Sequence, residues 1–282
     1  MRVLNFFHAL LGSAILGGCS SLPYTPTAER DATFAPYRDT KIEGLPIQAF
    51  LGLRTGIVLA AAELTFEPEA KSASGLNFHA NARLRVGSAA AIDSRGYFLT
   101  AAHVVAHGPI TVLFSDGSAV QHQSARLVWL GYNAPGSPDL ALVHIDASLP
   151  ATFAWSLEHR TGDAVFGGGL NYAKKGLPRF DIGFVAGKLL TIPTAAPTPE
   201  QTVSFTSDLL LHEGDSGGPL VDAHGRLLGI NGVVTFGLAR ALGLPGKLTC
   251  YAVRPDTDWL RQLIEKDLAA HQSADTSSPK KP

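Results

Sequence analysis

Three short segments of the chain hold residue types that together perform nucleophilic chemistry. Thr100-Ala101-Ala102-His103-Val104-Val105 ends an apolar run on a histidine, with small alanines that allow a tight turn. Pro138-Asp139-Leu140-Ala141-Leu142-Val143 sets an acid at the mouth of an apolar stretch, a position of partial burial. Gly214-Asp215-Ser216-Gly217-Gly218-Pro219-Leu220 surrounds a serine with the least bulky residues, inside a backbone that must bend sharply. A serine hydroxyl is a weak nucleophile at neutral pH and needs a general base within hydrogen-bond reach. Histidine suits that task because it titrates near neutrality, and a carboxylate beside it holds the imidazole in the working tautomer. The tetrahedral intermediate of acyl transfer carries an oxyanion that preorganised backbone N–H groups must meet. The expected roles are therefore Ser216 as nucleophile, His103 as base and Asp139 as its orienting acid, with the N–H groups of Gly214 and Ser216 as the oxyanion hole.

Competing readings of these residues fail on order or context. Gly214-Asp215-Ser216-Gly217-Gly218 also fits the nucleophile elbow of α/β-hydrolases, but that fold orders its triad serine, acid, histidine. Only His224 and His271 follow Ser216, one close behind it and the other in a polar stretch. Asp116, Asp146 and Asp163 are rival acids without the Asp-Leu-Ala-Leu context. The remaining histidines show no metal-ligand spacing with a third ligand, so no metal and no cofactor is expected. Gly167–Gly169 lacks the Lys-Ser/Thr of a phosphate loop. The chain of 282 residues carries 23 Lys+Arg against 24 Asp+Glu, which gives none of the basic surface that nucleic-acid binding needs.

The elements that must position these residues read as short strands. From about Pro46, apolar runs alternate with Gly, Pro, Asn and Asp. Ile57–Leu64 is a candidate first strand. Arg83–Ile92 and Tyr97–Thr100 form a hairpin through Asp93-Ser94-Arg95-Gly96, where Asp and Gly meet the backbone demands of a tight turn. Ile110–Phe114, Ala119–Gln123, Leu127–Leu130, Leu140–Ile145, Ala164–Phe166, Gly183–Leu190, Thr202–Thr206, Leu220–Val221, Leu227–Ile230 and Leu248–Val253 continue the rhythm. Such spacing implies an all-β sandwich or pair of barrels. One segment differs: Asp256-Thr257-Asp258 caps an apolar stripe of Trp259, Leu260, Leu263, Ile264 and Leu268, which predicts a helix. Residues 271–282 are polar and read as a disordered tail. Cys250, far from Cys19, reads as a buried inert thiol.

The segments together resemble the trypsin-like, chymotrypsin-fold serine peptidases, in their bacterial HtrA-type branch. The order His103, Asp139, Ser216 matches that superfamily. Gly87–Tyr97 resembles the strand pair before the HtrA histidine, Gly162–Gly169 and Gly183–Gly187 the opening strands of its second barrel, and Gly229–Gly232 the strand lining the substrate cleft. The likeness spans roughly residues 80–260. It implies an all-β fold of two six-stranded antiparallel β-barrels with a C-terminal α-helix, in a protease domain over residues 46–270. It implies a serine endopeptidase acting on proteins or peptides through an acyl-enzyme. It also places Leu210 at the base of the pocket for the residue preceding the scissile bond, with Ile230, Asn231 and Gly232 along one wall. An apolar base favours small or medium apolar side chains there, since a buried charge would lack a partner. No PDZ domain is expected. One departure matters: Asp215 stands where most of the branch carries Asn, and activated trypsins pair that acid with a newly cut N-terminus. A catalytically silent or zymogen-like peptide-binding protein of the same fold is therefore the alternative.

The N-terminus reads as a targeting segment. Arg2 is followed by an apolar run from Val3 to Leu16, shorter than the roughly 20 residues that span a bilayer as a helix. Leu16-Gly17-Gly18-Cys19-Ser20 resembles a bacterial lipobox, which implies a signal peptide over residues 1–18 and lipidation at Cys19. Residues 19–45, with Pro23, Pro26 and Pro36 among Ser and Thr, read as a tether. The expected location is the cell envelope, anchored through Cys19, with Ser20 resembling the sorting pattern of the outer membrane's periplasmic face.

Overall fold

The computed structural model describes residues 41–42, 45–61, 63–68, 76–81, 84–131, 137–171, 181–191, 203–212, 214–236 and 248–276. In chain order the strands are β1 (Lys41–Ile42), β2 (Leu45–Pro46), β3 (Thr55–Ala60), β4 (Glu63–Pro68), β5 (Leu76–Asn81), β6 (Arg85–Asp93), β7 (Tyr97–Thr100), β8 (Ile110–Ser115), β9 (Val120–Leu130), β10 (Ala141–His144), β11 (Ala164–Asn171), β12 (Asp181–Thr191), β13 (Val203–Ser207), β14 (Pro219–Asp222), β15 (Leu227–Phe236) and β16 (Leu248–Arg254). Helices span Ile47–Gly52, Ala102–Val105 and Thr257–Thr276. Two closed barrels result. The first runs β10-β7-β6-β3-β8-β9 and the second β11-β12-β13-β16-β15-β14, with every pairing antiparallel. The expected pair of six-stranded barrels with a C-terminal helix is the observed architecture. Closure leaves no free sheet edge in either barrel.

The apolar runs are continuous rather than alternating because many strands are covered on both faces. Successive side chains of a strand point to opposite sides, and the clusters sort accordingly. Val58, Phe98, Ala141 and Val143 fill the first barrel, whereas Val165, Leu220 and Leu228 fill the second. Their neighbours Leu99, Leu142, Phe166, Val221 and Leu227 meet in a third layer between the barrels. Ile57, Leu59, Leu113 and Leu170 form a further buried cluster. Cys250 is buried in the second barrel, donates its thiol to the Leu209 carbonyl at 2.9 Å, and is pushed up to about 12 by that burial.

Several elements differ from the sequence expectation. Ile47–Gly52 is a helix whose Ile47, Phe50 and Leu51 bury one turn's apolar face between the barrels. A stripe that short carries little periodic signal. The first barrel strand stops at Ala60, and a separate hairpin, β4–β5, follows. Ala119–Gln123 and Leu127–Leu130 belong to one strand, β9, whose polar residues between them face outward. The C-terminal helix continues through residues 271–276, which the sequence reading assigned to a tail. Cys19 and the rest of residues 1–40 lie outside the described residues.

Candidate active site

The histidine is carried by a turn at the end of the first barrel. Thr100 closes β7, Ala101 stays extended, and one helical turn, Ala102–Val105, presents His103. Asp139 lies just before β10, which pairs with β7 in a register that sets Ala141 opposite Thr100. Base and acid therefore sit at matching ends of adjacent strands. Asp139 Oδ2 accepts a hydrogen bond from His103 Nδ1 at 2.7 Å, and Oδ1 accepts one from the His103 backbone N–H at 3.0 Å. The carboxylate thus grips both the ring and the backbone of the same residue. With its proton at Nδ1, the ring offers Nε2 as the basic nitrogen. His103 is partly open to solvent and Asp139 more enclosed, at 27% and 15% side-chain exposure. The His103 carbonyl accepts a bond from Arg85 at 2.6 Å.

The serine comes from the second barrel. Ser216 stands three residues before β14, in a loop where Gly214 and Gly217 take φ of 94° and 85°. Non-glycine residues avoid that region. The Ser216 hydroxyl donates to the Gly232 carbonyl at 3.3 Å, and a side chain built at Gly232 would place its Cβ 3.4 Å from Asp139 Oδ2. Gly232 thus bonds the serine and leaves space on its side toward Asp139.

The loop ahead of the serine closes on itself. The Asp215 N–H donates to the His212 carbonyl at 3.0 Å, and Asp215 Oδ2 accepts the His212 N–H at 2.8 Å. Asp215 is buried. Its carboxylate oxygen Oδ2 is held by backbone of its own loop. Further bonds run from the Gly218 N–H to the Asp215 carbonyl and from the Gly217 N–H to the Asn231 carbonyl.

The expected wall residues play unequal parts. Asn231 is buried, donates its side-chain amide to the Pro219 carbonyl at 3.0 Å, and exchanges backbone bonds with Gly217 and Gly218. Ile230 is fully buried in the layer between the barrels and pairs with Pro219 on one side and Val253 on the other. Leu210 is half-buried between Leu209 and Leu211, both in the core of the second barrel.

Residues 87–230, just over half of the chain, match the trypsin-like peptidase domain family. The chain belongs to that family. A probable periplasmic serine endoprotease DegP-like of Halomonas elongata is 29% identical over 160 residues, covering 56% of this chain and 31% of that protein. The serine protease Do-like HtrA of Lactobacillus helveticus is 29% identical over 143 residues, 49% of this chain and 32% of that protein. The chain therefore spans less than a third of the length of either relative. Among solved structures, the active form of the Rv3671c protease from M. tuberculosis matches with a TM-score of 0.51 at 19% identity, over 73% of this chain and 78% of that one. That likeness speaks to the fold alone.

Two residues at the candidate site carried no role in the sequence reading. Ser88 and Thr100 are buried polar residues of the first barrel; Ser88 bonds to the loop holding Ser216, and Thr100 bonds to Ser88. Ser88 follows Gly87 in a segment already marked by resemblance. Its partners lie too far along the chain for spacing to reveal them.

Proposed function

We propose that this protein is a serine endopeptidase in which His103, Asp139 and Ser216 act as the catalytic triad. The observation that carries the reading is the two-point grip of Asp139 on His103, made in the same seam as the Ser216 hydroxyl. In the working cycle His103 Nε2 takes the proton from Ser216 Oγ as that oxygen attacks the scissile carbonyl. Asp139 stabilises the imidazolium that forms and remains ionised. The N–H groups of Gly214 and Ser216 receive the oxyanion. The imidazolium then gives its proton to the leaving amine, and a water activated by the same nitrogen releases the acyl group. Labelling by a fluorophosphonate probe tests this reading. The soluble form from Ser20 onward should label, and Ser216→Ala and His103→Ala should not, since loss of a triad member costs on the order of 10⁶ in turnover. An unlabelled parent would overturn the assignment.

The substrates in this reading are envelope proteins or peptides, cut after small or medium apolar residues seated against Leu210. The names of the periplasmic relatives support an envelope location. Lipidation at Cys19 would anchor the domain on the periplasmic face of the outer membrane. Diacylation with a further acyl chain exceeds the two signals that stable anchoring requires. Cys19→Ser should move the protein from the membrane fraction to the soluble periplasm, and unchanged fractionation would remove the anchor from this account.

A further inference from the structure

We infer that Ser88 is a positioning residue for the proposed oxyanion hole, acting from the first barrel on the loop of the second. The inference rests on the endopeptidase reading for its catalytic meaning. Ser88 lies on β6, is fully buried, and reaches the Ser216 loop at two points. Its backbone N–H donates to the Ser216 carbonyl at 2.7 Å, and its hydroxyl donates to the Gly214 carbonyl at 2.7 Å. The hydroxyl oxygen also accepts the Leu170 N–H of β11 at 2.9 Å, so both its capacities are engaged within the second barrel. Behind it, Thr100 donates its hydroxyl to the Ser88 carbonyl at 2.7 Å, three residues before His103.

These bonds fall on either side of the Ser216 N–H, and the first pins the carbonyl of Gly214, the residue that carries the other candidate donor. Fixing the Gly214 carbonyl fixes the peptide plane leading into Asp215. Fixing the Ser216 carbonyl fixes the plane leading out of the nucleophile. The Ser216 N–H is thus bracketed by two carbonyls held by one residue, and the Gly214 N–H is restrained through its own residue's carbonyl. The surroundings are cleared for this contact. A Cβ at Gly87 would lie 2.7 Å from the Ser216 carbonyl, one at Gly169 would collide with the Ser88 hydroxyl, and one at Gly217 would collide with the Ser88 carbonyl. Oxyanion stabilisation depends on donors held before the reaction and not recruited during it. A rigid hydroxyl from the opposite barrel supplies that restraint, and it also ties the position of the serine loop to the strand that leads to His103.

The test compares the parent with Ser88→Ala and with Ser88→Cys, a near-isosteric variant whose thiol is a weak donor. Three quantities are read: the rate of fluorophosphonate labelling, hydrogen exchange of the amides from Gly214 to Gly218, and the low-field Nδ1 proton of His103. The expected result is labelling slowed about 10- to 100-fold in Ser88→Ala, below the 10²–10³ lost with an oxyanion donor itself. Ser88→Cys should fall between the two. Exchange should rise in the loop while the His103 proton is retained. Labelling within twofold of the parent with unchanged loop exchange would overturn the inference. So would loss of the His103 proton together with raised exchange throughout both barrels, which would make Ser88 a general support of the fold. If the parent itself fails to label, the endopeptidase reading falls, and the loop exchange alone decides whether Ser88 holds the loop.

Discussion

At the scale of the residue, the pairing of Asp139 with His103 makes a definite demand on one atom. An asparagine in place of Asp139 would match the carboxylate in shape but could turn its amide toward Nδ1, favouring the tautomer whose Nε2 carries the proton and cannot act as base. We expect Asp139→Asn to lower kcat on the order of 10⁴-fold, with little change in thermal stability. Turnover of an apolar chromogenic ester, measured beside a thermal melt, checks both. A variant keeping a tenth of the parent's activity would show that the carboxylate does not set the tautomer. What made the proposed triad legible was that each member sits in a local sequence with its own physical reason: alanines at a turn, an acid before a strand, glycines around a serine. Ser88 had no such local signature. Its bond to Gly214 spans 126 residues, and nothing in the types around it distinguishes it from an ordinary strand serine.

At the scale of the element, the C-terminal helix joins the end of the second barrel to the wall of the first. Its start was legible because Asp256 Oδ1 accepts the N–H groups of Asp258 and Trp259, and Leu260 and Ile264 enter the layer between the barrels. Its fastening was not. Asp267 accepts two bonds from Arg126, at 2.7 and 2.6 Å, and one from the Tyr97 hydroxyl at 2.8 Å, partners more than a hundred residues away. Burial pushes the Asp267 carboxyl upward, but Arg126 and Tyr97 more than offset it and hold it below its ordinary value. A group lowered in the folded state adds stability above its unfolded value, near 3.9, and that stability is lost as pH falls through the lowered folded value. Asp267→Asn should therefore cost about 1–2 kcal/mol at neutral pH, allowing for the partly exposed Arg126. The difference from the parent should shrink in melts run progressively below pH 4. A gap that stays constant down to pH 2 would mean that the carboxylate's charge is not what fastens the helix.

At the scale of the molecule, the two barrels are not independent bodies. Strands β7 and β10 of the first, and β11, β14 and β15 of the second, each send one face into a barrel and the other into the shared layer. In the proposed reading the same layer sets the seam that carries His103, Asp139 and Ser216, so damage to it should reach stability and chemistry together. Phe166 lies at its centre, almost fully buried beside the apolar faces of both barrels. Phe166→Ala should cost roughly 3–5 kcal/mol. It should also slow fluorophosphonate labelling at temperatures well below the variant's melting point, because the barrels can then shift against each other. The parent should unfold in a single transition, with the near-ultraviolet signal of the Trp129–Trp259 contact and the far-ultraviolet signal of the strands lost together. Two separate transitions, or a Phe166→Ala variant that loses stability while labelling at the parent's rate, would mean that each barrel holds its part of the site without the layer between them.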